Sequence, residues 1–148
     1  MSGICLIKIQ RWFYLDLKKF LLSGIAAGIA IWIISFVFDS LVSIAFPYNI
    51  LELGGMRSIE DPLMLLFFLN PFVLSFAMTI VYPFLKLEGN YLSKGKTFGL
   101  LVWLVAGIPS AFIVYTSMTY PIGFTISSFI GSLLYMLGAG IVIAKFME

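Results

Sequence analysis

Asp39 is the residue in this chain whose type and position most clearly invite chemistry. It lies in an apolar segment, residues 20–46, that contains no other Asp, Glu, Lys or Arg. An ionised side chain in a membrane costs about 2.5–3.5 kcal/mol on insertion scales and marks a functional site by default. Asp39 could therefore bind a cation or carry a proton. In the alternative structural role, it reaches the outer headgroups or pairs with Arg57 or a hydroxyl.

Two prolines in later apolar segments lie close to further polar side chains. Asn70 precedes Pro71, and Pro109 lies in a segment that also contains Tyr115. Proline removes a backbone donor and disfavours helix at the residue before it, so a kink is expected at each proline. Two kinked helices could bring Asn70 and Tyr115 to one polar pocket and, with Asp39, form a candidate ion or proton site. The other polar members of this pocket would be Ser75, Thr79 and Ser110. Kinking with a purely structural role is the alternative.

Several classes of chemistry lack the residues that they need. The chain has no His and a single Cys, Cys5. Haem ligation through His, His-based zinc sites, His general bases and paired-thiol chemistry therefore have no ligands or nucleophiles here. A catalytic Ser–Lys pair would need a lysine well inside an apolar segment, whereas the lysine of these segments, Lys145, lies at the very end of the fourth. We expect no enzyme activity, no metal site and no cofactor.

The composition of the chain points to lipid as its main solvent. Of its 148 residues, 61% are hydrophobic and 11% are charged, with a mean hydropathy of +1.09. Soluble domains are roughly half apolar and about one quarter charged. A chain of this size could not bury so much apolar surface in water. Its net charge of +2 is too small to indicate a nucleic-acid partner.

Four segments are long and apolar enough to cross a bilayer. Each has about 20 or more mainly apolar residues, the length needed to span ~30 Å of hydrocarbon. They must be helical, because a spanning segment satisfies its own backbone groups and none shows the alternation of a barrel strand. They form one domain, residues 20–146. The predicted spans cover residues 20–46, 63–85, 98–118 and 122–146.

The distribution of basic residues predicts the orientation of these spans. Eight of the nine Lys and Arg residues fall before the first span, between the second and third spans, or at the end of the fourth. Cytoplasmic loops carry the excess of Lys and Arg. We therefore predict an up-down bundle with both termini cytoplasmic and with anionic headgroups bound at its basic face. Residues 1–19 form a cytoplasmic interfacial segment, either an amphipathic helix on the inner leaflet, which we favour, or an early start of the first span.

Small residues at four-residue spacing mark the candidate helix-packing faces. Helices in lipid associate through close backbone contact, which small residues permit. Such faces could pack inside one bundle, or could bind a second copy or another membrane protein. The candidate packing residues are Gly24, Gly28, Gly107, Ser128, Gly131 and Ser132.

The favoured function is therefore non-enzymatic. We expect a small membrane subunit or scaffold that packs through Gly/Ser helix faces. The alternative is a small oligomeric transporter or channel with Asp39 as its proton or cation site. Small multidrug exporters share the size and the helix number, but they use a buried Glu in the inner part of the first helix, where this chain has none. We expect a multi-pass integral protein of the plasma (inner) membrane of a prokaryote, because the chain is similar in general form to small four-span proteins of prokaryotes.

Overall fold

The structure is a computed structural model that describes residues 17–45, 57–58 and 60–148. Within that part of the chain it is entirely helical and contains no strand. Four helices are long and apolar enough to cross a membrane, which confirms the all-helical, four-span prediction at that level. The predicted interfacial segment lies outside the described residues except for 17–19, which are helical. The helices are α1, Leu17–Ala45; α2, Pro62–Phe84; α3, Tyr91–Ser117; and α4, Ile122–Met147.

Helix α3 begins seven residues earlier than the predicted boundary at residue 98. Asn90 caps it, since the Asn90 side-chain oxygen accepts a hydrogen bond from the Ser93 N–H at 2.9 Å. Lys94 and Lys96, which the sequence placed in a loop, therefore lie in the first turns of this helix. Counting apolar residues misses these turns because a capped helix end outside the hydrocarbon has no need to be apolar.

Helix α2 departs from α-helical geometry on both sides of its central part. Pro62–Leu69 is 3₁₀, Asn70–Val81 is α-helical and Tyr82–Phe84 is again 3₁₀. The change at Asn70 follows from Pro71, which has no N–H to donate. Just before it, the Asn70 N–H bonds the Phe67 carbonyl, three residues back rather than four. Asp61 caps the start, accepting from the Leu63 N–H at 2.9 Å.

Helix α1 packs against α2 on one side. The rings of Phe76 and Phe72 lie directly over Gly24 and Gly28, so the two helices run antiparallel. Ser75 donates a hydrogen bond from its hydroxyl to the Gly24 carbonyl at 2.7 Å. The missing side chains of the two glycines thus provide the space that the rings occupy.

Helix α4 lies between α1 and α3 and is antiparallel to both. Phe38 of α1 covers Gly131 of α4. On the other side, the backbones of α3 and α4 touch at Gly95, Gly99 and Gly140. A methyl group added at Gly99 would lie 2.7 Å from the Leu137 Cα, so only glycine fits there. We call these three residues the glycine contact.

Among the described residues, the packed core lies in one half of the molecule. We name the half that contains Lys94 and Lys145 the basic half, and the other half the open half. In the open half, the Pro62–Leu69 part of α2 and the Ile108–Ser117 part of α3 contain no buried residue. The core of the basic half consists of Ala27, Ile31, Met78, Tyr82, Phe98, Ala139, Ile143 and Ala144.

Candidate functional site

A π-helical turn divides α3 near its middle. The turn covers Trp103–Gly107, and the Ile108 N–H bonds the Trp103 carbonyl five residues back. Pro109 explains its place, because proline has no N–H and its ring clashes with the carbonyl four residues before it. A wider turn relieves that clash. Single π-helical turns are frequent at functional sites.

Beyond this turn, α3 separates from α4 and a cavity opens between them. Its volume is about 240 Å³. Contact between the two helices is extensive on the Tyr91–Val102 side of the turn and sparse on the Ile108–Ser117 side. The cavity therefore fills a wedge that is closed at the glycine contact. Its lining residues are Ala106, Gly107, Ser110, Ala111, Val114, Thr125, Ser128, Ser132, Tyr135 and Met136.

One hydroxyl of the cavity wall, that of Ser132, forms hydrogen bonds within the chain. The Trp103 indole N–H donates to the Ser132 hydroxyl oxygen at 3.1 Å and lies 3.3 Å from the Phe129 carbonyl oxygen. Ser132 in turn donates to the Phe129 carbonyl at 2.8 Å. The Trp103 ring also packs edge-on against Phe129, with centroids 4.7 Å apart. These contacts fix the wall of the cavity next to the π-helical turn.

The other hydroxyls of the cavity have no such partners among the described residues. Among residues 17–45, 57–58 and 60–148, no side-chain hydrogen bond occupies the hydroxyls of Ser110, Thr125, Ser128 or Tyr135. By contrast, Thr116 outside the cavity donates to the Phe112 carbonyl at 2.9 Å. The cavity therefore offers four groups that can each donate and accept a hydrogen bond.

The hydroxyl face of α4 continues directly into the packed core. Ser128, Ser132, Tyr135 and Ala139 follow at i, i+4, i+7 and i+11, which keeps them on one face of the helix. Ala139 is fully buried in the basic half, whereas Ser128 is exposed and lines the cavity. One helix face thus serves as core at one end and as cavity wall at the other.

The structure places the three residues of the candidate ion site on three different helices. Asp39 lies on α1, Asn70 on α2 and Tyr115 on α3, and all three side chains are exposed. No hydrogen bond or ion pair joins any two of them in the part of the chain that is described, and none lines the cavity. Their joint role stays a prediction. Of the other pocket residues that the sequence suggested, Ser110 lines the cavity, whereas Ser75 and Thr79 are buried.

Asp39 interacts electrostatically with a residue that the sequence did not assign to the ion site. Its carboxyl lies within electrostatic range of the Tyr135 hydroxyl, which belongs to the cavity wall. Arg57 pairs with Asp61 at 2.8 Å. The Leu63 N–H, and then the Arg57 guanidinium, hold the pKa of the Asp61 carboxyl below its usual value. In the sequence, the spacing of Ser128, Ser132 and Tyr135 along one face of α4 was the pattern that could have identified Tyr135.

The candidate packing residues are mostly covered within the chain. Gly24 and Gly28 lie against α2, Gly131 lies against α1, and Gly107 lies against the Trp103 ring of its own helix. Ser132 bonds Trp103, and Ser128 lines the cavity. The glycine faces of α1 are therefore already covered and do not offer a surface for a partner.

No protein-family model, curated protein or solved structure matches the chain. In the described ranges, no group of three or more His, Cys, Asp and Glu residues could hold a metal ion.

The cavity makes a prediction about access to water. In a Cys5→Ser background, Ser128→Cys should react with a small water-soluble methanethiosulfonate, because its side chain lines an open, hydroxyl-rich space. Ser75→Cys is the matched control, since Ser75 is fully buried between α1 and α2. Mass spectrometry measures the fraction modified. Equal protection of both cysteines would show that water does not enter the cavity.

Proposed function

We propose that this chain is a non-enzymatic subunit of a membrane assembly and that the α2 surface around Asn70 binds the neighbouring subunit. The observation that carries the proposal is the position of the Asn70 side chain. It is exposed, and no other side chain or backbone group in the described ranges bonds its side-chain amide. An amide of this kind on a spanning helix needs a partner.

The depth of Asn70 makes that need strong. It follows eight 3₁₀ residues, Pro62–Leu69. At about 2.0 Å of rise per residue, these residues place Asn70 roughly 16 Å from the start of α2. Half of a ~30 Å hydrocarbon core is about 15 Å, so Asn70 would lie near the bilayer midplane. Lipid tails there offer no hydrogen-bonding group.

The surroundings of Asn70 support a protein neighbour. The 3₁₀ part of α2 buries no residue, although it carries the apolar side chains of Phe67 and Phe68. A partner helix packed on this surface could bond the Asn70 amide, an interaction worth about 1–2 kcal/mol in model membrane helices. The same helix would also cover the exposed apolar side chains of Phe67 and Phe68, which otherwise make only ordinary contacts with lipid.

A second candidate function is transport of a proton or cation through Asp39. It is favoured by the placement of the Asp39 carboxyl within electrostatic range of Tyr135 on the cavity wall. An acidic group beside a polar cavity is the arrangement that ion-carrying membrane proteins use. We rank it second because Asp39 does not itself line the cavity.

The charges of the described residues support both termini being cytoplasmic. The basic half carries six lysines, whereas Arg57, Glu60 and Asp61 lie just before α2 at the opposite end. We infer that the basic half faces the cytoplasm and binds anionic headgroups, each exposed lysine contributing about 1 kcal/mol near the surface. Lys94 is bound at 3.0 Å to Glu148 and contributes less to this effect. The six lysines are Lys18, Lys19, Lys86, Lys94, Lys96 and Lys145.

Cross-linking at position 70 tests the subunit hypothesis. In a Cys5→Ser background, Asn70→Cys should form a covalent adduct with a neighbouring polypeptide when membranes are treated with a short thiol cross-linker. Ile80→Cys is a control, because Ile80 is an exposed residue of the same helix in the basic half. Mass spectrometry of the adduct identifies the partner as a second copy or another chain. If the Asn70→Cys variant remained monomeric under conditions that cross-link a known complex, the proposal would be contradicted.

Labelling in intact cells tests the orientation. Glu60→Cys should react with a membrane-impermeant thiol reagent, because α2 starts on the outer side in the proposed topology. Lys96→Cys, on the exposed surface of the first turns of α3, should react only after the cells are permeabilised. The reverse pattern would place the basic half outside.

A further inference from the structure

We propose that the cavity between α3 and α4 binds an uncharged polyhydroxyl group, either a small free polyol or the sugar or glycerol headgroup of a lipid. This site is independent of the proposed subunit contact, because Asn70 and the 3₁₀ part of α2 contribute no lining residue. The proposal rests on the geometry of the cavity and on the wall hydroxyls that bond no other described residue.

The hydrogen-bonding groups of the wall match hydroxyls. Ser110, Thr125, Ser128 and Tyr135 each carry an O–H that bonds no other described residue. By contrast, the hydroxyls of Thr116 and Ser127 bond carbonyls of their own helices. A hydroxyl donates one hydrogen bond and accepts others. Four such groups are complementary to a ligand that both donates and accepts, which is the property of a polyol.

The charge of the wall excludes ionic ligands as the main class. None of the ten lining residues is charged. A phosphate or carboxylate that entered the cavity would lose its hydration and would find no cation to pair with. A buried unpaired charge is strongly unfavourable. Asp39 does not line the cavity, so an ammonium ion would also lack a direct counter-charge.

The size and walls of the cavity fit one glycerol or one sugar ring. A volume of about 240 Å³ corresponds to roughly eight water molecules at ~30 Å³ each. Ala106, Ala111, Val114 and Met136 supply apolar surface for the C–H faces of such a group. The combination of hydroxyls and small apolar side chains is what separates this cavity from an ion site.

The depth of the cavity suits entry from the open half. Thr125 and Tyr135 lie three and thirteen residues after Ile122, the first residue of α4. At 1.5 Å per residue they are about 5 Å and 20 Å from that end of the helix. The hydroxyls therefore extend from the headgroup level to slightly beyond the bilayer centre. A lipid headgroup or a dissolved polyol could enter from the headgroup end.

Trp103 provides a reporter for binding. Its indole N–H bonds Ser132 on the cavity wall, and the other two Trp residues are Trp12 and Trp32. In the full chain with Trp12→Phe and Trp32→Phe, reconstituted in phosphatidylcholine nanodiscs, emission therefore comes from Trp103 alone. The three probes are glycerol and glucose in the buffer and a glucosyl-diacylglycerol in the nanodisc.

We expect a saturable change in Trp103 emission with at least one of these probes. A response to glycerol or glucose identifies a free polyol as the ligand, and a response only to the glycolipid identifies a headgroup. The double variant Thr125→Val with Ser128→Ala should bind about tenfold more weakly, since it loses two hydrogen bonds of modest strength. Thr116→Val is the matched control and should bind normally, because the Thr116 hydroxyl bonds its own helix.

Three results would overturn the proposal: no saturable change with any probe, an equal response to an alkylammonium or anionic lipid, or unchanged affinity in the double variant. Melting followed by circular dichroism verifies that each variant is folded. If the double variant does not fold, Ser110→Ala takes its place, and unchanged binding by that variant would equally overturn the assignment. Cross-linking at position 70 is unaffected by any of these outcomes.

Discussion

The glycine contact between α3 and α4 is the constraint on which the rest of the structure depends. Gly95, Gly99 and Gly140 let two backbones touch, and no side chain can be added at Gly99 without overlap. Helices in lipid gain little from burying apolar side chains, so such close contact is a principal source of their association. It fixes α3 against α4 in the basic half. The packed core there, including Phe98 and Ile143, follows from that closeness.

The open half is shaped by what happens to α3 after this contact. The π-helical turn at Trp103–Gly107, which Pro109 favours, carries the rest of α3 away from α4. Trp103 holds the turn to α4 through Ser132. The wedge beyond it leaves the hydroxyls of Thr125, Ser128 and Tyr135 without a hydrogen-bond partner among the described residues. The same molecule therefore combines a closed apolar half with a half that contains an open, hydroxyl-lined cavity.

The sequence predicted the number, type and approximate limits of the spans because long apolar segments have few other structures available. It did not predict the start of α3 at Tyr91, since that helix end depends on a hydrogen bond from Ser93 to Asn90 rather than on hydropathy. Nor could it tell which helices are neighbours. Asn70 and Tyr115 were assigned to one pocket because both lie near prolines, whereas the cavity is built from α3 and α4.

The small residues and hydroxyls show the same limit in another way. Their spacing predicted which face of α4 is special, but not that one end of this face would be core and the other cavity wall. Ala139 and Ser128 share that face and differ completely in burial, because α3 is close to α4 at one and distant at the other. Periodicity identifies a face, and only the path of the neighbouring helix decides what the face contacts.

The most direct test of this account is the free energy of unfolding of Gly99→Ala, measured by steric trapping in bilayer discs. Gly138→Ala on α4 is the control, because an added methyl group there meets only the flexible end of Ile34. Overpacking a close contact costs about 1–3 kcal/mol. The account predicts a loss of that size for Gly99→Ala and little change for Gly138→Ala. Equal stability of the two variants would contradict the glycine contact as the basis of the fold.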